Sequence, residues 1–190
     1  MGQSNSAPFS MEEINMTTIV GVDASTNRSG VAVFCDGEHV AHTVIDLHKI
    51  KNINERIPMM VNEICKYINR FKPDKILMEE TVLSSNTSTL KKLAYLAGGI
   101  MFYAYRHNIE FELVLPTAWR RKIGMQQDNK VKREALKLES IQAVKKEYGL
   151  DVTDDEADAI LIARSGFDLP KLDITTDDID WSLVVDLNND

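Results

Sequence analysis

The sequence predicts an α/β fold, a mixed five-stranded sheet flanked by helices. Two observations lead there. Three β-branched apolar runs, separated by turns, fill the first part of the chain up to residue 46. After them, short apolar runs alternate with segments of helical period, so the order reads β-β-β-α-β-α-β-α-α. An antiparallel start followed by strand–helix alternation describes a sheet that is antiparallel on one side and parallel on the other.

Residues 1–15 (MGQSNSAPFSMEEIN) are polar and aperiodic and read as a flexible tail. The folded domain is expected from Met16 to Gly166, with an acidic tail over 167–190. Residues 17–22 (TTIVGV) are a buried strand, 24–30 a turn rich in Ser, Asn and Gly, and 31–35 a second strand. Asp36-Gly37 signals a hairpin into a third strand at 40–46. Ile53, Ile57, Met60, Val61, Ile64, Tyr67 and Ile68 mark a helix within 51–71, broken by Pro73-Asp74.

A short buried strand follows at 75–79, then a polar loop, SSNTST, that caps a helix over 90–107. Gly98-Gly99 inside that helix lowers its propensity and points to close packing on a neighbour. Met101, Phe102, Tyr103 and Tyr105 read as core. A fifth strand at 111–115 is closed by Pro116; a short helix covers 117–123 and a long charged one 129–148. Thr153 and Glu156 make a capping box for a last helix from 154 to about 164. A strand-like patch, 181–185, lies in the tail.

At 190 residues, with 44% hydrophobic and 27% charged content, the chain has the makeup of one soluble domain with tails. It has no apolar run of bilayer length and no basic-then-apolar leader, which points to a cytoplasmic protein with no membrane partner. Cys35 and Cys65 have no metal-ligand spacing, and the four histidines likewise. The net charge of -7 is unevenly spread. Residues 151–190 hold 12 Asp/Glu against 2 Lys/Arg, whereas 1–150 carry 20 Lys/Arg against 17 Asp/Glu. Arg120, Arg121, Lys122, Lys130, Lys132, Arg133 and Lys137 concentrate the positive charge, and a local patch is what phosphate binding needs.

Four carboxylates carry the chemistry. Asp23 and Glu79 each end an apolar strand; Asp155 and Asp158 sit one helical turn apart on one face of the last helix. Singly, each has an ordinary structural reading: Asp23 as a turn-former with Ser25 or Thr26, Glu79 as a strand end, the pair as carboxylates at a positive helix end. Together they make an oxygen-donor set suited to hard cations such as Mg²⁺. Two such ions suit phosphodiester cleavage. Glu80 is adjacent to Glu79, and strand alternation turns the two to opposite faces, so only one of them can join Asp23; the family resemblance below is what selects Glu79.

The order of these acids, with VGVDASTNRSGVAVF, PDKILMEE, LKKLAYLAGGIMFYA, PTAWRRKIG and DEADAILIA, resembles the RuvC-type Holliday junction resolvases of the RNase H-like superfamily over residues 17–164. The resemblance implies an RNase H-like domain and a crossover junction endodeoxyribonuclease. It implies catalytic Asp23, Glu79, Asp155 and Asp158 holding two Mg²⁺ ions per subunit, with Mn²⁺ as a substitute. It implies four-way DNA junctions as substrate, cut by symmetric paired nicks, and a C2 homodimer to supply two matching sites.

Lys132 best matches the family's motif lysine, with Lys130 the alternative; a solvated helix lysine is the other reading of Lys132. Ser25, Arg120, Arg121, Lys122, Lys130, Lys132 and Arg133 are the expected DNA contacts. Val82 and Leu83 stand where family members often carry an aromatic residue after the catalytic Glu. The divergences suit a bacteriophage or mobile-element member. The alternatives are a fork or flap nuclease of the same fold and a non-catalytic DNA-binding relative. A sugar-kinase-like ATPase needs a second phosphate loop and a second domain, which this length does not hold.

Overall fold

The structure, a computed structural model, describes residues 16–81, 87–125 and 133–174, with the side chain of Arg133 excepted. The 1–15 tail, Val82, Leu83, the first half of the SSNTST loop, Lys130, Lys132 and the 181–185 patch lie outside the described residues.

Five strands form one sheet: β1 (Thr18–Asp23), β2 (Arg28–Cys35), β3 (Glu38–Asp46), β4 (Lys75–Glu79) and β5 (Glu110–Val114), in the order β3-β2-β1-β4-β5. β1, β2 and β3 are antiparallel neighbours, while β4 runs parallel to β1 and β5 parallel to β4. This is the mixed sheet that the strand order predicts. A register shift between Val33 and Phe34 interrupts the β2–β3 ladder.

Among the described residues five helices cover the sheet: α1 (Ile53–Asn69), α2 (Thr87–Arg106), α3 (Pro116–Ile123), α4 (Arg133–Tyr148) and α5 (Asp154–Ser165). Strand side chains alternate between two cores. On one face Val20, Val22, Val31, Val33, Ile76 and Met78 pack on Met60, Ile64, Ile68, Leu96, Ile100 and Ala104 of α1 and α2. On the other, Ile19, Ala32, Phe34 and Leu77 meet α3, α4 and α5.

α5 is the helix that positions the site, and it is buried all round, from Ala157 to Ser165 apart from Asp158. Small residues make that possible. A Cβ on Gly21 would land in the backbone of Ala159 and Ala163, and one on Gly30 in the carbonyl of Asp155. With glycine at both places the helix lies directly on β1 and β2. The predicted capping box is present: Thr153 accepts from the Glu156 N–H, and Glu156 Oε2 accepts from the Thr153 N–H at 2.9 Å.

Three expectations change. β2 starts at Arg28 rather than residue 31, because Gly30 and Ser29 already pair with β3. The chain past Gly166 stays on the domain: the Leu172 N–H donates to the Ile123 carbonyl at 2.7 Å, and Leu172 is buried. The folded part therefore runs at least to residue 174, and the boundary at 166 falls too early. Finally, Met101, Phe102 and Tyr105 are 46%, 64% and 78% exposed, so they are surface rather than core. Leu96, Ile100 and Ala104 face inward in their place, and Gly99 fits against Val61 of α1.

Candidate active site

The parallel ladder pairs Val22 with Met78, which sets Asp23 and Glu79 side by side at the carboxyl ends of β1 and β4. Ligand crevices in sheets with parallel strands open at such ends. On the other flank, Asp23 pairs with Gly30 across the antiparallel ladder. The bare Gly30 is where the first turn of α5 comes down, delivering Asp155 and Asp158. Two strand ends and one helix start thus bring the four predicted acids to one place.

They form an electrostatic cluster centred on Asp23. Burial, and then the charges of Asp158, Glu79, Asp155 and Asp154, hold the Asp23 carboxyl well above its usual range. Burial also raises Asp158, against the pull of Arg120 and Ser140. Burial and then Asp154 raise Asp155, against Arg28 and Lys137. Like charges crowded this way favour either protons or a cation.

Each outer acid has a protein partner. The Trp119 indole Nε1–H donates to Glu79 Oε2 at 2.8 Å. Arg120 Nη2 and Ser140 Oγ both donate to Asp158 Oδ1, at 3.1 and 2.6 Å. Arg28 Nε lies 3.3 Å from Asp155 Oδ2. Among the described residues no three acids are already gathered at metal-binding geometry. The donor set is all oxygen, the kind that Mg²⁺ takes.

A cleft of about 610 Å³ opens over the cluster, lined by Asp23, Glu79 and Asp155, with Ser25, Arg56 and Lys92 on its walls. Ser25 is fixed there by a local network: its N–H donates to Ser29 Oγ at 3.0 Å, and its Oγ accepts from the Asn27 N–H at 3.2 Å. The turn after β1 is thus built by Ser25 and Ser29, which leaves the Asp23 carboxylate for the cleft. Glu80 lines the cleft as well. β4 stops at Glu79, so strict alternation does not carry on to Glu80.

The chain matches the model of crossover junction endodeoxyribonuclease RuvC over residues 19–164. The chain belongs to the RuvC family. RuvC of Bifidobacterium longum is 28% identical over 151 residues, covering 76% of either chain. RuvC of Brachyspira hyodysenteriae is 27% identical over 150 residues, covering 76% of this chain and 89% of its own length. In three dimensions the fold is similar to Thermus thermophilus RuvC in complex with a Holliday junction substrate, with a TM-score of 0.61 at 16% identity; 78% of this chain and 91% of that one are covered. The yeast mitochondrial Holliday junction resolvase gives 0.51 at 17% identity, over 78% and 77%. RuvC enzymes are metal-dependent nucleases.

Within this RuvC-family site the basic residues sort differently from the sequence reading. Arg120 is 6% exposed and spent on Asp158, so it is not available to DNA. Its guanidinium also lies 4.4 Å from the Trp119 ring centroid. Helical position alone did not reveal this, because the burial of α3 against α5 is a tertiary matter. Arg121 and Lys122 are exposed on α3. Arg133 opens α4, and Lys137 is paired with Asp154. Arg56 and Lys92 are cleft residues that the sequence reading missed. Arg56 Nη1 donates to the Ile50 carbonyl at 2.7 Å, which fixes it beside the cleft. The available signal was position: each lies in the first two turns of a helix that follows the sheet edge bearing the acids.

Proposed function

We propose that this chain resolves four-way DNA junctions by paired symmetric nicks, using Asp23, Glu79, Asp155 and Asp158 to hold Mg²⁺. The carrying observation is that the β1–β4 ladder sets Asp23 beside Glu79 and the start of α5 comes down on Gly30, the ladder partner of Asp23, with Asp23, Glu79 and Asp155 lining one polar cleft. Bound at these oxygens, two Mg²⁺ ions, or Mn²⁺ in their place, supply an activated water and relief of charge on the leaving 3′-oxygen.

The chain's own residues do the rest. Asp23 sits centrally on rigid sheet, where it touches the field of all its partners. Arg56 and Lys92 flank the cleft with positive charge and orient a strand by its phosphates, the sequence-independent part of recognition. Arg121 and Lys122, exposed on α3, are assigned as further phosphate contacts. Lys132 is assigned the role of offsetting charge at the scissile phosphate.

Two nicks need two sites, and a C2 dimer supplies them in matched geometry. The outer face of α2 supports that arrangement. Tyr95, Met101, Phe102 and Tyr105 are exposed there, and a Cβ on Gly98 would meet nothing within 4 Å. Exposed aromatics beside a small residue are the composition of a helix–helix interface. Thr89 and Lys92 of the same helix line the cleft, so the interface and the active site share one rigid element.

Cleavage of a mobile four-way junction beside a fork, a flap and a linear duplex tests the reading. Symmetric nicks with ligatable ends on the junction are expected. Equal cutting of all four substrates identifies a general branched-DNA nuclease instead, and no cleavage identifies a binding-only relative.

A further inference from the structure

We propose that α3 is a two-pronged positioning element, whose consecutive residues Trp119 and Arg120 hold Glu79 and Asp158 and thereby set the spacing of two outer acids around Asp23. The inference rests on the assignment of these acids as metal ligands.

Consecutive helical residues point about 100° apart. On α3 that angle sends the Trp119 indole to the end of β4 and the Arg120 guanidinium to the start of α5. Trp119 Nε1–H reaches Glu79 Oε2 at 2.8 Å, and Arg120 Nη2 reaches Asp158 Oδ1 at 3.1 Å. Both side chains are buried, at 2% and 6% exposure, and they stack on each other at 4.4 Å. One rigid unit therefore contacts acids that arise from different parts of the chain, 79 residues apart in sequence. The Ser140 hydroxyl of α4 donates to the same Asp158 oxygen as Arg120, so both grips fall on Oδ1.

α3 is itself firmly seated. Pro116 opens it, Gly124 ends it in the left-handed region at φ 92°, and the Ile123 carbonyl accepts from the Leu172 N–H. Outer partners of this kind fix ligand orientation, and losing one lowers metal affinity by about 10–100-fold. Neither residue touches the scissile phosphate in this reading; both act through the carboxylates they hold.

The test uses the full chain free of DNA. Trp119 and Trp181 are its two tryptophans, so the Trp119→Phe variant assigns the two indole N–H resonances of ¹⁵N-labelled protein. Titration with Mg²⁺ is expected to move the Trp119 indole resonance in the wild type and to leave it in place in Glu79→Gln. Mn²⁺ affinity, followed by electron paramagnetic resonance, is expected to fall about tenfold or more in Trp119→Phe and in Arg120→Lys. Adding Trp119→Phe to Glu79→Gln should weaken it no further. On a four-way junction, kcat should fall with KM unchanged.

An unmoved indole at saturating Mg²⁺ overturns the proposal, as does wild-type Mn²⁺ affinity in Arg120→Lys. Should Trp119→Phe not fold, the wild-type resonance and Arg120→Lys still decide. Asp23→Asn separates the two levels: if that variant binds Mn²⁺ and cleaves like the wild type, the ligand assignment itself is wrong, whatever α3 does.

Discussion

Gly30 of β2 lies against the backbone carbonyl of Asp155, so close that a Cβ at Gly30 has no room. Gly30 is also the ladder partner of Asp23. The residue opposite the central acid is thus the one whose missing side chain admits the helix carrying two more. Gly21, one turn of α5 further along, does the same against Ala159 and Ala163. Fold and site are coupled at these two contacts, since the backbone of α5 has no flexible side chain there to give way.

Gly30→Ala is therefore expected to lift the start of α5. Overpacking of a fixed core costs about 1–3 kcal/mol, and each kcal/mol lowers Tm by about 2–4 °C in a chain of this size. Cleavage should fall further than stability does, by about 10²-fold, because a displacement near 1 Å at the reacting groups is enough. A thermal melt and a single-turnover assay measure the two effects; unchanged values in both would show that α5 does not rest on Gly30.

Asp23→Asn separates catalysis from stability. Burial and its neighbours raise Asp23, so the folded chain holds that proton more tightly than the unfolded chain. Stability then falls as pH rises from about 4, the ordinary carboxylate value, through the folded pKa, and the penalty is full above it. The neutral amide removes the penalty. In metal-free buffer at pH 7.5 the variant should melt above the wild type, with the gap closing towards pH 4 and narrowing when Mg²⁺ is added. Its junction cleavage should drop by at least about 10²–10³-fold. A variant that melts lower at pH 7.5 would contradict the electrostatic account.

The placement of the candidate acids was legible because each carries a local mark: Asp23 and Glu79 end apolar strand runs, and Asp155 and Asp158 lie in the first turns of a helix opened by a capping box. The succession of strands and helices along the chain was legible for the same reason, since alternation and turn residues are local. The basic residues were not. Arg120 and Arg121 are neighbours in one RRK run, yet the first is buried on Asp158 and the second is in solvent. That difference depends on how α3 rests on α5, which no short-range pattern records. The aromatic side of α2 misled in the opposite direction, because apolar composition marks a face to be covered without saying by what.

Arg120 and Arg121 should accordingly behave as opposites. Arg120→Ala removes the guanidinium that donates to the largely buried Asp158 at 3.1 Å. Breaking such a pair costs about 3–5 kcal/mol. Arg121→Ala should leave Tm unchanged within about 0.5 kcal/mol and weaken junction binding alike across DNA sequences. It should also reduce the slope of log affinity against log salt by about 1. Denaturant melts and salt-dependent binding isotherms check the pair; a large Tm loss in Arg121→Ala would mean that α3 is misplaced.

The outer face of α2 makes the last prediction. Leu96, Ile100 and Ala104 already anchor the helix in the monomer core, while Phe102 and Tyr105 add nothing to that core at 64% and 78% exposure. Phe102→Asp and Tyr105→Asp should therefore leave the monomer fold intact, within about 0.5 kcal/mol. Across a two-fold axis each substitution appears twice, so an interface there would face two added charges with no partner. Sedimentation should show a shift to monomer. Single nicks in junction strands should persist while coordinated paired nicks are lost, since each subunit keeps its own four acids. A charged variant that remains dimeric and still cuts in symmetric pairs would place the interface on another surface.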